Sequence, residues 1–186
     1  PLAEKLAMKY EENENVKIEV NQIGSSAGIA NAVNGVSQIG MSSRDLKQEE
    51  MDSGIQEFII AYDGIVVVTH PSNNVKDLSM EQVKQIFTGE ITNWKEIGGK
   101  DLEIVVVSRE DGSGSRDAFQ EIVGYKSGQL IRNAIVASGN GNIKTTVANN
   151  KHAIGFISFE YVDDSISTMN INGVEAKAEN VLNGTY

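Results

Sequence analysis

The residues best equipped for chemistry lie between 109 and 115, where Arg109, Asp111, Gly112, Ser113, Gly114 and Ser115 share one short run. A guanidinium offers a planar fork of donors and the two hydroxyls add rotatable ones. The glycines let backbone N–H groups approach whatever the fork holds. Such a set suits a tetrahedral oxyanion, and Asp111 stands where it could pin the Arg109 fork from behind. The run is not a Walker loop, because no Lys follows the glycines, and it lacks the third Gly of a dinucleotide fingerprint. Nor is it a nucleophile elbow, since Asp111 occupies the place of a Gly two before Ser113. The same residues also fit a loop that caps a helix and binds nothing.

The elements around the run explain why it would point at a ligand. Upstream, LEIVVV (102–107) reads as a strand buried on both faces of a parallel sheet. Downstream, Ala118, Phe119, Ile122 and Val123 follow helical spacing from about Ser115, and Gly124 stands at a left-handed cap. A strand, a small-residue loop and a helix start bring free N–H groups and the positive end of the helix dipole to one point. The logic recurs. A strand over 16–20 leads to GSSAG (24–28) before Ile29, Ala30, Ala32 and Val33, and a short strand at 39–41 runs into Ser42, Ser43, Arg44 and Asp45. SGNGN (138–142) is a further Gly-rich loop opening a short helix.

The remaining elements read as scaffold. Leu2, Leu6 and Tyr10 stripe a helix over about 1–13 with Pro1 at its first position, so its cap and the loop before it are expected upstream. Residues 55–61 and 64–69 read as two strands, the second in a sheet core. Ser79 and Gln82 make a capping box opening a helix over 80–87, closed by Gly89. Trp94 is expected to pack under a loop. Residues 153–162 (AIGFISFEYV) predict a strand with aromatics alternating at Phe156 and Phe159 or Tyr161. The tail holds a strand-like 166–174 and a helical 178–182.

Composition narrows the function. The chain has 186 residues, 40% hydrophobic and 23% charged, enough for one large or two small domains with a real core. A net charge of −10 argues against nucleic-acid or polybasic membrane binding. It does not argue against a small anion, because distant carboxylates are screened within roughly 8 Å at physiological salt. No cysteine is present, which removes disulfides and thiolate metal sites. His70 and His152, the two imidazoles, are far apart in sequence, and no metal or other cofactor is expected.

Together, GSSAG (24–28), IGMSSRDL (39–46), IFTGEITNWKEIGG (86–99), SREDGSGSRDAF (108–119) and AIGFISFEYV (153–162) resemble the phosphate-binding proteins of phosphate ABC importers over nearly the whole chain. The resemblance implies an α/β, two-lobed periplasmic-binding-protein-like (Venus flytrap) fold with mixed sheets flanked by helices. Residues 1–63 plus 164–186 would form an incomplete first lobe and 64–163 the second, with crossings near 62–64 and 162–165. Carried over by motif, Ser25, Ser43, Arg109, Ser113, Gly114 and Ser115 would bind phosphate and Asp111 would orient Arg109. In the family the position of Ser43 can be an Asp that accepts the proton of hydrogen phosphate; here the nearest carboxylate, Asp45, is two residues on. The resemblance further implies an upstream strand and Gly/Ser/Thr loop, and a final strand and helix after Tyr186, so the chain is expected to be truncated at both ends. It implies an extracytoplasmic binding protein, no enzyme, that hands phosphate to ABC permease subunits and meets the membrane only through a lipid anchor outside this chain. Two other readings stand beside it. One is a binder or sensor for another tetrahedral oxyanion; the other is a hydrolase using Ser113 with His152 or His70.

Overall fold

In the computed structural model, which describes residues 2–186, the chain runs through seven α-helices and seven strands. In order these are α1 (Leu2–Glu11), α2 (Ser25–Val33), α3 (Gln48–Met51), β1 (Ile65–Thr69), β2 (Asp77–Leu78), α4 (Met80–Thr88) and β3 (Val105–Arg109). They continue as α5 (Gly114–Val123), β4 (Ile135–Ala137), α6 (Gly139–Ala148), β5 (Ala153–Ser158), β6 (Ser167–Thr168), β7 (Asn170–Ile171) and α7 (Ala178–Leu182). The expectation that Pro1 opens the first helix lies outside the described residues.

Five strands form one mixed sheet in the order β4-β3-β5-β1-β6. β3 runs parallel to β4 and β5, while β5 and β6 run antiparallel to β1, with Val67 opposite Phe156 and Val106 opposite Ile154. Of the apolar run at 102–107, Val105–Val107 enter β3, a core strand between two parallel neighbours that runs on to Arg109, while 102–104 lie before it. Alternation along the strands sends side chains to two separate clusters. Val67, Val106, Ile154 and Phe156 pack with Phe87 of α4 and Phe119 of α5. Val66, Val68, Val107 and Ile157 pack with Ile143 and Val147 of α6 on the other face. Helices therefore cover both faces, and the Phe119 and Phe156 rings stack with centroids 4.0 Å apart.

Local signals account for most element ends. Ser79 and Gln82 form the expected capping box on α4, and Gly89 and Gly124 take left-handed caps. Trp94 is buried and donates its Nε1–H to the His152 carbonyl at 3.1 Å, a packing role with its one polar group satisfied.

Three expected strands are not strands. Residues 16–20, 39–41 and 55–61 run without ladder partners, and Ile39, Phe58 and Ile60 stand exposed. Alternation and β-branching describe a surface that can pair, and a strand forms only where a second backbone satisfies its N–H and C=O groups. The aromatic strand at 153–162 is also shorter than expected. β5 ends at Ser158 with all six residues buried, and Phe159–Tyr161 is a 3-10 turn, so only Phe156 enters the aromatic cluster. The return segment after Val162 packs against the sheet. β6 adds to β1, β7 pairs with β2, and the Tyr186 hydroxyl donates to the Met169 carbonyl at 2.9 Å.

Candidate anion-binding site

β3 delivers Arg109 to the edge of the core, and the chain then turns through Gly112, whose φ of +81° favours glycine. Ser113 follows as the N-cap of α5, its Oγ accepting the Arg116 backbone N–H at 3.3 Å. α5 therefore begins at Gly114 with its first N–H groups directed out of the sheet edge, where its dipole is positive.

A second helix start meets this one. Gly24, with φ +82°, precedes Ser25 at the head of α2, and Ser26 N–H donates to the Gly112 carbonyl at 3.2 Å. The two loops touch so closely that a Cβ on Gly24 would lie 3.0 Å from the Gly112 oxygen. One on Gly114 would overlap Ser25 Oγ and lie 3.1 Å from the Ser43 nitrogen. Ser25 Oγ in turn accepts the Ser43 N–H at 3.0 Å. Ser25, Ser43, Ser113, Gly114 and Ser115, drawn from three loops, thus share one place, and Ser25, Ser113 and Ser115 are buried there. Two helix N-termini and a set of hydroxyls, three of them buried and that of Ser43 exposed, meet in one spot that favours negative charge.

Arg109 is also buried, with 8% of its surface exposed, but its partner is not the expected one. Nε and Nη2 donate to the two oxygens of Glu110 at 2.8 and 2.9 Å, and Nη1 donates to Asn140 Oδ1 at 3.3 Å. Asp111, assigned to orient Arg109, instead accepts from Arg116 Nη1 at 2.6 Å, with its side chain almost wholly exposed. The reason lies in the turn. Residues two apart share a face only while the strand continues, and the left-handed Gly112 carries Asp111 over the start of α5, whereas the longer Glu110 folds back onto the fork. Glu110 also accepts the Gly139 N–H at the start of α6, at 3.3 Å. Burial pushes its carboxyl upward, yet the bonds from Arg109 and from the α6 backbone outweigh this and hold it below its ordinary value.

A third arginine closes the periphery. Arg44, beside Ser43, sets Nη1 and Nη2 against Glu50 at 2.8 Å each, and Nε donates to Asp117 in the first turn of α5 at 3.2 Å. Glu50 is held down at about 2, chiefly by that bidentate bond, against the opposing effect of burial.

Glu110, Asn140, Arg44 and Arg116 were not read from the sequence as site residues. Two signals were nevertheless there. Asn140 lies in the Gly-rich SGNGN loop, and Arg116 puts a cation in the first helical turn, where the dipole opposes one. His70 Nδ1 lies 2.8 Å from Ser72 Oγ and His152 Nδ1 lies 3.1 Å from the Glu103 carbonyl, so these nitrogens are engaged away from Ser113. Among the described residues, no three His, Cys, Asp or Glu side chains gather as a metal site.

A helix-covered mixed sheet, with helix starts and serines from separate loops around one buried point, is the framework of a binding protein for a small anion. The chain belongs to the PBP superfamily, whose domain model matches residues 1–185, and within it to the substrate-binding proteins of phosphate ABC transporters. A Clostridium perfringens protein described as a phosphate ABC transporter substrate-binding protein, solved with bound phosphate, is 59% identical. The match covers all of this chain and 77% of that one, with a TM-score of 0.96. An ABC-type phosphate transport receptor from Vibrio cholerae is 35% identical over 99% of this chain and 77% of its own, with a TM-score of 0.81. The phosphate-binding protein PstS of Bacillus subtilis is 35% identical over the full chain, which spans 63% of that relative's length.

Proposed function

We propose that this chain is the ligand-binding part of an extracytoplasmic protein that holds inorganic phosphate and passes it to the permease of an ABC importer. The observation that carries the reading is the meeting of the α2 and α5 N-termini at Ser25, Ser43, Ser113, Gly114 and Ser115. Backbone N–H groups at the head of α5 and the serine hydroxyls would donate to the phosphate oxygens, and Arg109 would supply the positive charge at the rim. Glu110 and Asn140 would hold that guanidinium in place. Binding of this kind makes and breaks no covalent bond. Ser113 Oγ is already committed as an acceptor to a backbone N–H, which supports a donor role toward the ligand.

The site would lie between two lobes. One comprises about 1–63, carrying α2 and the Ser43 loop; the other is built on the sheet of β1 to β6. Arg44, which links the 43–50 segment to α5, would join them. Permease docking and the extracytoplasmic location rest on the description of the two solved relatives as a phosphate ABC transporter substrate-binding protein and an ABC-type phosphate transport receptor.

Isothermal titration of inorganic phosphate into the chain, with sulfate as competitor and a phosphomonoester turnover assay alongside, tests the reading. Saturable binding at one site without turnover is expected. Preference for another oxyanion, or phosphomonoester hydrolysis lost in Ser113→Ala, would replace it.

A further inference from the structure

Arg116 is the third residue of α5, where the helix dipole opposes a cation. It is nonetheless 6% exposed. Nη1 donates to the Arg109 carbonyl at 3.1 Å and to Asp111 Oδ1 at 2.6 Å, while its own backbone N–H is tied to Ser113 Oγ. One side chain therefore spans the end of β3, the loop and the first turn of α5. Stability alone does not account for it. The guanidinium is desolvated, its Nε has no hydrogen-bond partner, and its only ion-pair partner among the described residues, Asp111, has a side chain 93% exposed.

We propose that Arg116 is a positioning residue of the anion site: it fixes the backbone of Arg109 from beneath, and so sets where the Arg109 guanidinium meets the ligand. The inference rests on the phosphate reading above. Arg116 would act without touching the ligand, its Nη1 being held by the Arg109 carbonyl and the Asp111 carboxylate. Its contribution passes through Arg109, which makes the two residues non-additive.

A double-mutant cycle tests this, with phosphate affinity measured by calorimetry on wild type, Arg109→Ala, Arg116→Met and the double variant, and with fitted stoichiometry reporting the folded fraction. Arg116→Met should weaken phosphate about tenfold at unchanged stoichiometry, the size of one lost charged hydrogen bond. In the Arg109→Ala background the same change should cost less than about threefold. An unchanged affinity in Arg116→Met, or equal losses in both backgrounds, overturns the proposal. Should Arg116→Met fail to fold, Arg116→Lys carries the same comparison. Lysine keeps charge and reach but cannot hold the fixed fork. A loss of roughly threefold or more that vanishes beside Arg109→Ala supports the proposal, and an equal or absent loss overturns it. A wild-type protein that does not take phosphate strikes at the function instead, and the two failures are told apart by that first titration.

Discussion

At the scale of single residues, burial separates an arginine that can hold an anion from a lysine that cannot. Arg109 is desolvated and fixed on two sides, whereas Lys95 pairs with Asp101 at 3.0 Å on the open surface, where such pairs contribute about 0–1 kcal/mol. Arg109→Ala should therefore weaken phosphate by roughly 100-fold or more, and Lys95→Ala should leave it unchanged. Equal calorimetric affinities for the two variants would remove Arg109 from the site. Selectivity is set at the same scale. Hydrogen phosphate carries a proton and sulfate does not, so an acceptor facing the ligand disfavours sulfate by leaving lone pairs opposed. Ser43 can rotate its hydroxyl to donate or accept, and Ser43→Asp should weaken sulfate competition relative to phosphate. A sulfate-to-phosphate ratio that does not move would assign the discrimination to another carboxylate.

At the scale of elements, two helices with the same kind of start separate structure from function. Ser79 caps α4 and Ser113 caps α5, each through its Oγ to the backbone N–H three residues on, at 3.1 and 3.3 Å. Replacing either with Ala removes a cap at a cost of about 1 kcal/mol in denaturant stability. Only Ser113→Ala should also reduce phosphate affinity, since only α5 opens onto α2. Matching affinities in the two variants would leave Ser113 a cap and nothing more. Gly114 is the sharper case. A methyl there would overlap Ser25 Oγ and crowd the Ser43 nitrogen, so Gly114→Ala should force α2 and α5 apart and abolish tight binding. Retained wild-type affinity in Gly114→Ala would mean that the two helix starts do not act on one ligand. That helix α5 exists, begins at the serines and ends at Gly124 was legible from local spacing. That α2 faces it was not, because Gly24 and Gly112 are far apart in sequence and no local pattern encodes their contact.

At the scale of the whole molecule, Arg44 holds the segment through Glu50 against α5, and its pair with Glu50 titrates. Glu50 has a folded value of about 2, below its ordinary 4.5, so the stability it lends is complete above that ordinary value. It declines as pH falls and is gone below about 2. The difference in denaturation midpoint between wild type and Glu50→Gln should thus be widest near neutrality and close as pH falls from about 4.5 toward 2. A difference constant over that range would show that the carboxylate's charge is not what matters. The sequence by itself determined those features that depend on a few neighbouring residues. These are a strand through 105–107 leading to Arg109, the glycine-bearing turn, the serine cap, the capping box on α4, and through the motifs the family. Tertiary structure alone decided which carboxylate reaches Arg109, which extended segments become strands and where Arg116 points. Spacing pointed to Asp111 as the partner of Arg109, but in the turn at the left-handed Gly112 Asp111 lies over α5 and Glu110 takes the guanidinium. Residues 16–20 alternate as well as many strands do, yet lack a backbone to pair with. Propensity is a property of the residue and its neighbours, whereas pairing and burial belong to contacts that only the folded chain brings together.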